Sequence, residues 1–188
     1  MKLSAVLLLQ LLLLRARLSA GWGFYMFTAK IMKFEPLDGV EQNLIDFRNV
    51  SIEGGDRALN GTVHIVEDME PQQFQMSIDL QHDPKLNDQW HGMLLSVPIM
   101  DICSAMRLFV GTYGKTTLRQ GENTNLPFTG KECPLTQGVY YVKNLLINTD
   151  TWPDLTPFGG LRLNMRFYKL GSFVGGFRLT LHVERKPV

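Results

Sequence analysis

Hydrophobic and polar residues alternate with a period of two over much of this chain. Phe74, Met76, Ile78 and Leu80 alternate with Gln75, Ser77, Asp79 and Gln81. Leu161, Leu163, Met165 and Phe167 alternate with Arg162, Asn164 and Arg166, and Phe177, Leu179, Leu181 and Val183 with Arg178, Thr180, His182 and Glu184. Successive side chains of a strand point to opposite faces, so each run predicts a strand with one dry and one wet face. Antiparallel sheets give this pattern, whereas parallel strands read as continuous apolar runs. Weaker β-prone stretches predict further strands over 24–34, 44–52, 62–67, 90–97 and 139–147. Gly, Pro or Asn-Gly separates most of them, and the turn-rich GGDRALNG stretch lies between the second and third.

One segment breaks the rhythm. In PIMDICSAMRLFV, Pro98 suits a first helical turn, and Ile99, Ile102, Met106 and Phe109 fall at helical spacing. The spacing predicts one helix over 98–110, with Gly111 and Gly114 as stop signals. The fold class is therefore all-β: an antiparallel two-sheet sandwich or cup of about eight strands with one short helix.

The first residues, MKLSAVLLLQLLLLRARLSAG, change the setting. A basic start, a twelve-residue largely apolar run and small residues at Ser19, Ala20 and Gly21 form the three-part pattern of a secretory leader. The run is shorter than the roughly 20 residues a membrane-spanning helix needs. Residues 1–20 are thus read as a signal peptide and 21–188 as one domain, a secreted, extracellular protein without stable membrane insertion. Loss of Lys2, Arg15 and Arg17 leaves 16 basic residues against 18 acidic ones, a net charge of −2. That balance gives no electrostatic footprint for nucleic acid.

Secretion also bears on Cys103 and Cys133, the two cysteines. In an oxidising compartment they predict a disulfide, with two buried free thiols as the alternative. The bond would staple the helix to the entrance of the strand in ECPLTQGVYYVKN, where Pro134 fits just ahead of a ladder and Gly138 turns into it. Tyr140 and Tyr141 must then face opposite ways. Asn49-Val50-Ser51 and Asn60-Gly61-Thr62 are glycosylation acceptor sequences, which fits a secreted glycoprotein.

Catalytic signatures are not legible. His64, His82, His91 and His182 are scattered and lack zinc-site spacing. GTYGKTT lacks the glycine a phosphate loop needs at position 109, which is Phe, so its glycines read as a turn after the helix. No G-x-S-x-G elbow occurs. No enzymatic activity, metal or cofactor is expected. The positive signal is an apolar excess on a β frame, with methionine at 26, 32, 69, 76, 93, 100, 106 and 165. Methionine is a frequent core filler and is over-used at adaptable apolar surfaces. Met76, Trp90, Met106, Phe109, Tyr141, Met165, Phe167 and Phe177 are the candidate lining of a ligand space between the sheets.

The order of these features resembles the insect chemosensory protein B family, secreted proteins related to the lipid-recognition β-cup of the ganglioside activator. The resemblance rests on Leu59-Asn60-Gly61 and Trp90 before strands, PIMDIC (Pro98 to Cys103), and Leu126-Pro127 before Cys133-Pro134. It continues through Gly138 to Asn144 (GVYYVKN), PFGGLRL (Pro157 to Leu163) and the closing strands. It implies a cup that binds a hydrophobic ligand, a lipid or hydrocarbon pheromone, in taste or smell detection and pheromone response, with a chemosensory receptor as a further partner. Two alternatives remain beside it. One is a secreted interaction module with a filled core acting on a receptor, and the other is a lipid-presenting cofactor for a hydrolase.

Overall fold

The structure is a computed structural model, and it describes residues 27–128 and 131–186. The proposed leader lies outside the described residues. Nine strands are present among them: β1 (Phe27–Leu37), β2 (Ile45–Glu53), β3 (Ala58–Ile65), β4 (Phe74–Asp83), β5 (His91–Gly92), β6 (Val97–Asp101), β7 (Gly138–Leu145), β8 (Gly159–Lys169) and β9 (Ser172–Arg185). The large sheet has the order β1-β9-β8-β4-β5, with β6 also paired to β4, and the small sheet has the order β2-β3-β7. Every strand pairing is antiparallel. The all-β, two-sheet class read from the alternation is what the chain adopts.

The three alternating runs explain the large sheet. Phe74, Met76 and Ile78 pair across to Lys169, Phe167 and Met165, so their apolar sides share one face. Leu163 and Met165 pair in turn with Leu179 and Phe177. That face packs on the small sheet, which contributes Ile45, Phe47, Val50, Val63, Ile65, Tyr140 and Leu145 to the same buried cluster. Non-directional apolar burial of this kind is the dominant favourable term in folding. The sheets are stitched at one end, where Leu44 N–H donates to Val174 C=O at 2.9 Å and Val40 N–H to Phe173 C=O at 3.0 Å. Gly175 (φ +131°) faces the Ile45 carbonyl there so closely that a Cβ would collide with it. Only glycine tolerates both that φ and that approach.

The helical segment differs from its prediction at both ends. Pro98 belongs to strand β6, and helix α1 (Ile102–Ala105) starts after Asp101, whose carboxylate accepts from Ser104 N–H at 2.8 Å. Pro98 lies where the β4–β6 register shifts between Met76 and Ile78, so its missing N–H breaks no regular ladder. After α1 the chain runs through a π-helical turn (Met106–Val110) into helix α2 (Gly111–Tyr113), so Gly111 lies inside the helical segment and Gly114 ends it. Ile102, Ala105, Met106 and Val110 are its buried positions.

Two strands also differ. The predicted strand over 90–97 splits into β5 and β6. Between them Ser96 Oγ accepts from Leu80 N–H at 3.0 Å and donates to Met93 C=O at 3.1 Å, doing with a side chain what a ladder would do. Strand β3 begins at Ala58 instead of 62, because Ala58 and Leu59 are both buried and the turn is confined to the residues before them.

Candidate functional site

The predicted lining residues separate into three groups. Met76, Met165, Phe167 and Phe177 share the inner face of the large sheet, as the alternation required. They meet side chains there. Phe47 stacks on Phe167 with centroids 6.1 Å apart and packs edge-on against Phe177 at 4.9 Å. Met76 is fully buried and Phe167 is 3% exposed. Met106 is buried and Phe109 half-buried on the helical segment, against the same cluster.

Trp90 and Tyr141 are corrections of place. Trp90 stands on the outer face of the large sheet, its ring 3.8 Å beneath the Arg162 guanidinium and close over Gly160. This is cation–π packing on a surface. Tyr140 is the inward tyrosine. It pairs with buried Val63, and its hydroxyl donates to the Thr136 carbonyl at 2.7 Å. Tyr141 pairs with Thr62 on the opposite face, and its N–H donates to Asn125 Oδ1 at 2.7 Å.

The outer face of the large sheet carries its own polar cluster. Asn164 is 1% exposed, donates through Nδ2 to Asp79 Oδ2 at 3.0 Å and accepts from Arg178 Nε at 2.7 Å. Burial, and then the neighbouring Arg178, hold the Arg162 guanidinium below its ordinary pKa. A buried amide with both ends engaged is a packing solution for a wet face under partial cover.

A solvent-facing opening lies elsewhere, at the free edge of β1. It is a cleft of about 910 Å³, open to solvent. One wall is β1 from Phe27 to Ile31. The others are the β2–β3 turn at Gly55 to Arg57, the segment after α2 at Lys115 to Thr117 with Arg119 and Asn123, and residues 146–150 after β7. Side chains clamp the two ends of the β1 wall. Thr149 Oγ1 donates to Phe27 C=O at 2.6 Å, and Arg57 donates through Nε to Ile31 C=O and through Nη2 to Met32 C=O, each at 2.5 Å. Ala29 has the same parity as Phe27 and Ile31, so its N–H and C=O also point away from β9, toward the cleft.

The wall after α2 is irregular backbone held by a side-chain network. Thr117 Oγ1 donates to Asn148 C=O and accepts from Asn148 N–H, both at 3.0 Å. Asn123 Nδ2 donates to Thr117 C=O at 2.8 Å, and Lys143 N–H to Asn123 C=O at 2.8 Å. The Cys103–Cys133 disulfide, Cα atoms 5.9 Å apart, closes the chain on either side of this wall. It joins α1 to the loop ahead of β7.

None of the eight predicted residues lines this cleft. Its signal in the sequence was slight. Lys115, Thr116 and Thr117 stand in GTYGKTT, which reads as a turn, and Arg57 stands in the turn-rich stretch before β3. Of the two acceptor asparagines, Asn49 is exposed, whereas Asn60 Oδ1 accepts from Asn144 N–H at 2.8 Å. No group of His, Cys, Asp and Glu among the described residues could hold a metal ion, and no helix among them is long and apolar enough to cross a membrane. No curated protein matches the chain. The segment 74–163, which runs from β4 through the helical segment, the disulfide and β7 into β8, is matched by a family model described as "Protein of unknown function (DUF1091)".

Proposed function

We propose that this is a secreted, non-enzymatic binding protein for a small hydrophobic or amphipathic molecule, acting in chemosensation, with the β1 cleft as its ligand site. The single observation that carries the reading is the cleft itself. Its volume of about 910 Å³ falls in the range of roughly 300–1,000 Å³ typical of small-molecule sites. Leu146, which is 48% exposed, and Ile147 supply apolar wall, and each ligand methylene withdrawn from water there contributes ~0.8 kcal/mol. The disulfide and the Thr117–Asn148 network support it by fixing the wall opposite β1. The order of Cys, Pro, Gly and aromatic residues shared with the insect chemosensory protein B family supports the pheromone or taste context. The leader-like N-terminus and the disulfide support export.

The test is uptake of a fluorescent fatty-acid analogue by the full chain secreted from eukaryotic cells, with native mass spectrometry for co-purifying lipid. Binding is expected to be lost on Thr116→Trp, which fills the cleft from its wall, and kept in Met165→Leu. Loss in Met165→Leu with Thr116→Trp unaffected would move the site between the sheets. No uptake and no co-purifying lipid would sink the reading.

A second reading, an interaction module acting on a receptor, is favoured by the filled interior around Phe47 and by fully exposed Leu94 beside Leu95 in the β5–β6 connection. Leu94→Ser with Leu95→Ser would abolish receptor response on that reading and leave probe uptake unchanged.

A further inference from the structure

Resting on the cleft reading above, we propose that the β1 cleft selects amphipathic anions, molecules with a carboxylate or phosphate headgroup on an apolar tail. Five basic residues line it (Lys30, Arg57, Lys115, Arg119 and Lys186) against two acidic ones, Asp56 and Asp150. The whole chain carries a formal charge of only +1, so this excess is local.

Two of the five cations are already engaged. Arg57 is spent on the Ile31 and Met32 carbonyls, and Arg119 pairs with Glu122 at 2.7 Å. Lys30, Lys115 and Lys186 have no carboxylate partner among the described residues. They come from three separate stretches of chain, β1, the segment after α2 and the segment after β9, and the fold brings all three to one cleft. Of the acids, Asp150 Oδ2 accepts from Asn148 Nδ2 at 3.2 Å. A cleft with low-dielectric walls focuses the field of such a cluster and concentrates counter-charge inside it. Ala29 adds a backbone N–H on the β1 wall, a donor that an anionic oxygen accepts from strongly. Leu146 and Ile147 remain for the tail. The lysines hold the headgroup and the apolar wall holds the chain.

The experiment is calorimetric titration of the full secreted chain with four probes: dodecanoate, dodecyl phosphate, dodecanol and inorganic phosphate. It is repeated on Lys115→Gln/Lys186→Gln and on Lys85→Gln, whose exposed lysine lies in the β4–β5 connection outside the cleft. Melting curves check that each variant folds. Dodecanoate and dodecyl phosphate should bind about tenfold more tightly than dodecanol at low salt, with the advantage shrinking at high salt. The double variant should lose about tenfold in dodecanoate affinity with dodecanol unchanged, and Lys85→Gln should change neither. Dodecanol bound as tightly as dodecanoate would overturn the headgroup selection and leave the proposed function standing. Undiminished dodecanoate binding by the double variant would overturn it in the same way. Inorganic phosphate competing as well as dodecyl phosphate would make this a free-anion site and overturn the amphiphile. Failure of all four probes would overturn both proposals.

Discussion

Phe47 of the small sheet meets Phe177 of the large sheet edge to face, with ring centroids 4.9 Å apart and planes inclined by 62°. The same Phe47 ring stacks on Phe167 at 6.1 Å, so one side chain joins the two layers through two aromatic contacts. Truncating it removes apolar burial and leaves a void that neighbouring strands cannot close. Phe47→Ala is expected to cost about 3–5 kcal/mol, read as a lower midpoint in chemical denaturation. Phe47→Leu should cost clearly less.

The two adjacent tyrosines should behave differently. Tyr140→Phe removes a hydroxyl that donates to the Thr136 carbonyl and lies 2.9 Å from Thr136 Oγ1. A loss of about 0.5–1.5 kcal/mol is expected. Tyr141→Phe lies on the opposite face and should fall within about 0.5 kcal/mol of the parent. Equal effects from the two would contradict the register of β7 on β3.

Reducing the Cys103–Cys133 bond frees a long, mostly irregular segment in the unfolded chain. Cys103→Ser/Cys133→Ser is expected to lower stability by about 3–4 kcal/mol. Because the bond brackets the wall built by Lys115 to Asn123, the double variant should also lose probe affinity under conditions where circular dichroism shows it still folded.

Asp101 links helix capping to pH. The Ser104 backbone N–H, more than the nearby Arg107, holds its carboxyl below the ordinary carboxylate pKa. A folded-state pKa below the unfolded one means that the stabilisation is complete above the ordinary carboxylate range. It is lost as pH falls through the folded value. Asp101→Ala should cost about 1 kcal/mol at pH 7. The gap in melting temperature between parent and variant should then narrow below about pH 4. A gap that stayed constant from neutral to acidic pH would show that the charge of Asp101 is not what caps α1.

The large sheet was legible in the sequence because Phe74 to Leu80, Leu161 to Phe167 and Phe177 to Val183 each obey a strict period of two. The disulfide was legible because two cysteines behind a leader-like segment allow one internal pairing. Other features depended on contacts that local pattern does not encode. The chain stops being a strand at Met93 because Ser96 captures Leu80 N–H from across the sheet. Tyr140 and Tyr141 are equivalent until pairing with Val63 and Thr62 fixes which one is dry. Trp90 is apolar enough for any core, yet Arg162 and Gly160 give it a place on the outside. The cleft was hardest to see, because Arg57, Lys115, Asn148 and Lys186 lie far apart in the sequence. Only the position of β1 at the margin of its sheet makes them neighbours.

Arg57 has one more consequence. A strand at the margin of a sheet offers its outward carbonyls as a template on which another chain can add and propagate into fibrils. Here the guanidinium occupies Ile31 and Met32 and the Thr149 hydroxyl occupies Phe27, so acceptors at both ends of that stretch are already taken. What remains uncovered around Ala29 is too short a run of free backbone to seed polymer growth.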